Sequence, residues 1–172
     1  MDDLDRRVRL EGLFSEHSAA VRAYARRRVA AEAADDVVSD VFVVAWRRLE
    51  KVPADALPWL LACAQRIIAN QRRSTRRQAA LFDRLSHERI GPPHAHADGA
   101  PALGEALAAL SAGDREVLML VAWEGLEPAR AAAVLGCSRR AFAMRLHRAR
   151  RRLAAAMARA DPSRSDPMEA LR

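Results

Sequence analysis

Apolar residues recur at helical spacing along most of this chain, and the places where the recurrence fails divide it into elements. Leu10, Leu13, Phe14, Val21 and Tyr24 predict a helix over 10–29. Val38, Phe42, Ala45 and Leu49 follow i, i+4, i+7, i+11 and predict a second over 34–50. Asp35 and Asp36 fall in the first turn of that second helix, where acids complement the helix dipole. Lys51-Val52-Pro53-Ala54-Asp55 interrupts the pattern as a short loop. Pro58 then suits the first turn of a third helix that runs to Arg77 and on towards Leu85.

Residues 86–102 hold three prolines, two glycines and no apolar period, so they read as a linker between a first domain, 10–85, and a second, 103–157. Fully extended, such a stretch spans at most about 60 Å. Beyond it Leu103–Leu110, Asp114–Trp123 and Pro128–Leu135 are short helices, with Glu124-Gly125-Leu126 turning the chain between the last two. Gly136-Cys137-Ser138 is a three-residue turn, with glycine where a positive φ is wanted and serine placed to cap. A long final helix follows, whose apolar stripe is Phe142, Leu146, Ala149 and Leu153. A short helix, a glycine-containing turn and a basic helix make the helix-turn-helix signature, and Ala131, Ala132 and Ala133 are small enough to let the two helices approach closely. Residues 158–172 read as a frayed tail, marked from Asp161 by Pro, Ser and charge.

Composition agrees with an all-α fold of two small helical domains. The chain has 172 residues, only seven Gly and a 5% aromatic share, while 51% hydrophobic residues suffice for packed cores. Two cysteines 74 positions apart make no disulfide framework, which suits a reducing cytoplasm. No apolar run reaches the ~18 residues of a membrane span, and the acidic N-terminus is unlike a secretory signal, so membrane insertion is not expected.

Charge changes the picture more. The formal net charge is +7, and 28 of the 29 basic residues are arginine, Lys51 being the exception. From Arg66 to Arg77 there are five arginines and no acid; from Arg139 to Arg152 there are seven and again no acid. Those two blocks carry +12, which leaves −5 on the rest of the chain. Two basic blocks on an otherwise acidic chain are the footprint of a polyanion contacted at two places. On the third helix Leu60, Ala64, Ile67 and Ile68 share one side, while Arg66, Asn70, Arg73 and Arg77 run down another, with Trp59 in line. Such a stripe can follow a nucleic-acid groove, arginine neutralising phosphate and asparagine able to read adenine. In the final helix Arg140, Arg145, Arg148, Arg151 and Arg152 face broadly away from the apolar stripe. Glu32, Asp35, Asp36 and Asp40 form a separate acidic cluster.

These strings resemble a known family. Asp35-Asp36-Val37-Val38-Ser39-Asp40-Val41-Phe42-Val43-Val44-Ala45-Trp46 followed by Pro58-Trp59-Leu60 resembles region 2 of bacterial RNA polymerase sigma factors. Leu107-Ala108-Ala109-Leu110, Asp114-Arg115-Glu116-Val117-Leu118, Gly136-Cys137-Ser138 and Leu146-His147-Arg148-Ala149-Arg150 resemble their region 4. With only a linker between them, the chain is similar to the two-domain extracytoplasmic-function group. The resemblance implies a promoter-recognition subunit whose partners are core RNA polymerase and promoter DNA, with an anti-sigma factor as a further partner it leaves open. Asp35, Asp36, Asp40, Phe42 and Trp46 would dock on core polymerase, although Phe42 is as readily a plain core residue. Arg66, Asn70, Arg73 and Arg77 would meet the −10 element, and the loop near Arg47–Leu57 would hold a base flipped from the non-template strand. Ser138, Arg139, Arg140, Arg145 and Arg148 would serve the −35 element. The chain departs from the family pattern at Arg130 and Asn70, where acids are common, and its final helix opens more basic than most.

A free-standing helix-turn-helix regulator is the alternative, but it leaves the Arg66–Arg77 stripe unexplained. No catalytic role is expected: there is no phosphate-binding glycine loop, no HExxH, and no histidine spaced to pair with Cys63 or Cys137. Neither a small-molecule substrate nor a cofactor is implied. His94 and His96 lack a third ligand nearby, so no metal site is expected either.

Overall fold

A computed structural model describes residues 2–83 and 101–160, and among these every regular element is helical. The helices are α1 (Asp3–Arg26), α2 (Ala31–Arg47), α3 (Ala56–Asp83), α4 (Pro101–Ala108), α5 (Ala112–Ala122), α6 (Pro128–Val134) and α7 (Arg139–Ala160), with a 3₁₀ turn at Leu49–Lys51. The chain forms two compact units, one built on α1–α3 and the other on α4–α7. The expected linker over 86–102 lies outside the described residues up to position 100; its last two positions are already helical, because Pro101 opens α4. The expected extension of α3 past Arg77 is helical to Asp83, with only 84–85 outside the described residues; of the expected tail, 158–160 still belong to α7 and the rest lies outside.

In the first unit all three helices pack on one another. Val21, Tyr24 and Ala25 from α1 meet Ala34, Val37, Val38, Val41, Phe42 and Ala45 from α2. The start of α3 fills the space between them: Leu60 to Ala64 are buried at five consecutive positions, which requires neighbours on every side of the helix. Beyond Gln65 the burial narrows to one side, where Ile68 is buried and Ile67 half-buried. Several helices start earlier than their apolar spacing predicts, α1 and α2 by the most. α2 opens at Ala31, so Glu32 holds the first turn and Asp35 and Asp36 stand a turn further in. α1 begins at Asp3, seven residues before Leu10, with Asp3 and Asp5 in its first turn and an Arg7–Asp3 ion pair of 2.9 Å along its surface. Such polar support has no apolar period to betray it.

The second unit wraps α4, α5 and α6 around the buried stripe Phe142, Leu146, Ala149 and Ala156 of α7. Leu153, expected in that stripe, is half-buried. The Asp114-Arg115 pair ties the unit together with polar bonds. The Ser111 hydroxyl caps α5 by accepting from the Asp114 amide at 3.1 Å and donates to the Asp114 carboxylate at 2.7 Å. The same carboxylate meets Arg152 of α7 at 2.5 Å. Arg115 donates to the carbonyls of Leu107, Ala108 and Leu110 at 2.9, 3.0 and 3.3 Å, closing the C-terminus of α4 with a cation where the helix dipole favours one. Gly125 and Gly136 both sit at φ +61°, the left-handed conformation that ends α5 and α6. Ala131 and Ala132 are buried between α6 and its neighbours, whereas Ala133 faces solvent.

Candidate nucleic-acid and polymerase interfaces

The α3 stripe is exposed as its spacing requires: Arg66, Asn70, Arg73 and Arg77 all face solvent, and Trp59 in line with them is half-buried. Arg73 donates to the Asn70 side-chain carbonyl, so the pair is pre-organised as one polar surface. Arg72 lies off the stripe and donates to the Arg28 carbonyl at 2.7 Å, fastening α3 to the end of α1. Arg28 in turn lies 3.5 Å from the Tyr24 ring centroid. One arginine of the block is therefore structural while keeping its charge.

On α7 the packing decides which basic residues point outward. The side roughly opposite Phe142, Leu146 and Ala149 holds Arg140, Met144, His147 and Arg151, all exposed, with Met144 at 58% exposure. Arg148 is exposed beside that face, whereas Arg139 and Arg145 stand nearer the edges of the buried stripe. Arg152 is committed to Asp114. Ser138 is exposed and its hydroxyl accepts from the Ala141 amide at 3.2 Å, so it caps α7 at the point where the chain enters the helix. Met144 and His147 were not among the expected site residues; an apolar side chain inside an arginine-rich helix carries no charge signal, and only the buried face reveals its direction.

The acidic surface is on α2. Asp36 and Asp40 are exposed and form no ion pair among the described residues, and Val43, one turn on, is 46% exposed. Sequence spacing gave no reason to separate Val43 from its buried neighbours. Asp35 is exposed but pairs with Arg22 of α1 at 3.0 Å. Phe42 is buried, with Phe14 edge-on at a centroid distance of 4.8 Å, and so belongs to the core of the unit. Trp46 is half-buried beneath the Arg6 guanidinium, 4.8 Å from its ring centroid. The five residues expected at one interface thus divide into an exposed pair, a tethered acid and two aromatic side chains that support the surface from behind.

Burial pushes the Cys63 thiol above its ordinary range, which opposes thiolate formation. Cys137 is half-buried in the turn before α7. Among the described residues no cluster of potential metal ligands forms and no helix is long and apolar enough to cross a membrane. His94 and His96 lie outside those residues.

Comparison with known proteins gives a consistent result. The sigma-70 region 2 profile matches residues 13–78, and the sigma-70 region 4 profile matches residues 101–153. The chain is 32% identical over 155 residues to the ECF RNA polymerase sigma factor SigL of Mycobacterium tuberculosis, covering 84% of this chain and 86% of that one. It is 32% identical over 136 residues to the RNA polymerase sigma factor CnrH of Cupriavidus metallidurans, covering 70% and 71%. Among solved structures it is similar to the sigma factor RpoE of Bartonella quintana in complex with the anti-sigma factor NepR, with a TM-score of 0.65, 26% identity, and 86% and 95% of the two chains covered. It is also similar to CnrH in complex with the cytosolic domain of CnrY, with a TM-score of 0.60, 29% identity and 85% of each chain covered.

Proposed function

The chain belongs to the extracytoplasmic-function group of sigma factors, non-enzymatic subunits that direct RNA polymerase to promoters, and from that premise we propose how its two units divide the work. The first, which we bound at residues 10–85, docks on core polymerase through Asp36, Asp40 and Val43 of α2, with Asp35, Phe42 and Trp46 shaping the surface beneath. Its α3 stripe, Arg66, Asn70, Arg73 and Arg77, lies along the −10 element. The connection between α2 and α3 receives the base that leaves the duplex. Unstacking that base costs a few kcal/mol, offset by the pocket and by phosphate contacts.

The second unit, residues 103–157, places α7 in the major groove of the −35 element. Arg140, Met144 and His147 face the base edges, Arg139, Arg145 and Arg148 position the helix on phosphates, and Ser138 fixes where it begins. The observation that carries this division is the segregation of charge. The exposed face of α2 carries Asp36 and Asp40, without an ion pair among the described residues, while the arginine faces lie on α3 and α7. The protein acts in the cytoplasm, and an anti-sigma factor is a fitting third partner, since both solved relatives described above are held by partner proteins.

Gel filtration with bacterial core polymerase at moderate salt tests the reading. Stoichiometric co-elution is expected, and the resulting holoenzyme, not the free chain, should protect promoter DNA. Failure to co-elute, together with specific duplex binding by the chain alone, would establish the free-standing regulator instead.

A further inference from the structure

The connection between α2 and α3 has little packing of its own. Across residues 48–55 only Leu49 and Val52 are buried. It is nevertheless gripped from the first turns of α1 at two carbonyls, one in the last turn of α2 just before it and one within it. Arg6 donates to the Trp46 carbonyl at 3.2 Å, and its guanidinium also lies over the Trp46 ring and 3.8 Å from the Glu50 carboxylate. Arg9 donates to the Val52 carbonyl at 2.7 Å. The Trp46 carbonyl is one of the last four of α2, which the helix cannot satisfy internally, so Arg6 supplies both a hydrogen bond and a cation at the negative end of the helix dipole.

The start of α1 has little else to hold it. No residue from Asp3 to Arg9 is buried, and its large apolar side chains, Leu4 and Val8, are 68% and 61% exposed. A helical segment that buries no apolar side chain gains little from the hydrophobic effect, and among the described residues its long-range polar contacts run to Trp46, Glu50 and Val52. The connection it grips leads directly into the basic stripe. Trp59 stands in line with Arg66, Asn70, Arg73 and Arg77, so a strand followed from Arg77 to Arg66, about 16 Å at helical rise, arrives next at the connection.

We propose that the N-terminal extension of α1 is a positioning device in which Arg6 and Arg9 hold the α2–α3 connection in the conformation that receives the unpaired −10 base. Neither arginine touches the base; each fixes a carbonyl on one side of the 3₁₀ turn, so that the exposed residues of the connection are presented in one arrangement. The proposal rests on reading the connection as the base-receiving loop, and its test separates the two.

Holoenzyme is assembled from the full chain and core polymerase, and 2-aminopurine is placed at successive non-template positions of the −10 element. A fluorescence rise reports the base leaving the stack. Arg6→Ala with Arg9→Ala is expected to lower the opening equilibrium about tenfold, the scale of losing charged hydrogen bonds at partly exposed carbonyls. Arg9→Lys in an otherwise unchanged chain, which keeps a donor, should recover most of the signal lost in Arg9→Ala. Binding to a duplex carrying only the −35 element should be unchanged. Replacing Pro53, Ala54 and Asp55 by glycine provides the separate arm. If this loop variant opens the promoter normally, the loop reading fails and the proposal falls with it. If it loses opening while the arginine variants do not, the proposal alone is overturned. Equal loss by the arginine variants on the −35-only duplex would also overturn it, because the defect would then be global.

Discussion

α3 and α7 carry the same kind of charge and present it differently. On α3 the first half is enclosed by α1 and α2, so the exposed arginines are confined to the side and the end that the bundle leaves open. Sequence spacing alone therefore separates a basic stripe from an apolar side. On α7 only one stripe is buried, and arginines occupy nearly every other direction. Charge there identifies a helix for a polyanion without saying which face meets the bases. Packing fixes only which way each side chain points: Arg140, Met144, His147 and Arg151 face outward, and Arg145 and Arg152 stand near the seam. A clean stripe reports enclosure by neighbours as much as it reports a ligand.

The comparison is most directly broken by removing charge from α7. Replacing Arg140, Arg145 and Arg148 together by alanine is expected to lower initiation from a −35-dependent promoter by roughly a hundredfold, given 1–3 kcal/mol for a specific base contact and smaller losses at phosphates. Core polymerase should still co-elute with the variant. If co-elution is lost as well, the two units do not act separately. A smaller effect is expected on the acidic side, where Asp36→Lys with Asp40→Lys should weaken core affinity about tenfold through like-charge repulsion at a surface patch. Unchanged affinity in a competition assay would reduce that stripe to an ordinary solvated helix face.

The helices themselves were legible because burial follows apolar period in both units. What sequence could not show were polar bonds between residues far apart in the chain. Nothing in its spacing marks Asp35 as the partner of Arg22, or places Arg6 over Trp46, since both pairs form only after the helices pack. The Asp114-Arg115 pair was legible as part of a family pattern, but its physical reason needed the fold: one residue caps its own helix and holds α7, the other closes α4. Phe42 shows the opposite limit. An aromatic residue on an acidic helix could have been a contact or core, and burial against Phe14 decides for core.

Asp114 also makes the second unit sensitive to acid. The Ser111 hydroxyl and then Arg152 hold its carboxyl below the ordinary aspartate range. A carboxylate depressed in the folded state contributes stability that is fully present above the ordinary value of about 3.9 and is lost as pH falls through the lowered one. Hydrogen-exchange protection across α5 and α7 in the full chain, corrected for the intrinsic rate at each pH, should therefore fall below about pH 4, and Asp114→Asn should remove that dependence. The variant should also cost about 1 kcal/mol at neutral pH, the usual scale of a weakened cap and a partly exposed ion pair. Exchange in α1–α3 serves as the internal control, because the bonds of Asp114 to Ser111 and Arg152 belong to the second unit. An unchanged acid response in Asp114→Asn would place the sensitivity elsewhere.

The smallest effect gives the sharpest view of how α7 is oriented. Met144 is the one large apolar side chain on its outward face, and in a major groove the natural partner for such a group is the C5 methyl of thymine. Deoxyuridine pairs like thymidine and lacks only that methyl. Replacing each −35 thymine in turn should weaken wild-type holoenzyme about fourfold at one position, since a buried methyl group contributes about 0.8 kcal/mol. Met144→Ala should bind the thymine and uracil forms equally at that position, which a general loss of helix stability would not produce. If Arg145→Ala abolishes the discrimination and Met144→Ala preserves it, α7 is turned towards its seam in the groove. The stripe of Arg140, Met144 and His147 would then face the phosphates, and the contrast with α3 would have to be redrawn with the flank, not the outward face, as the reading surface.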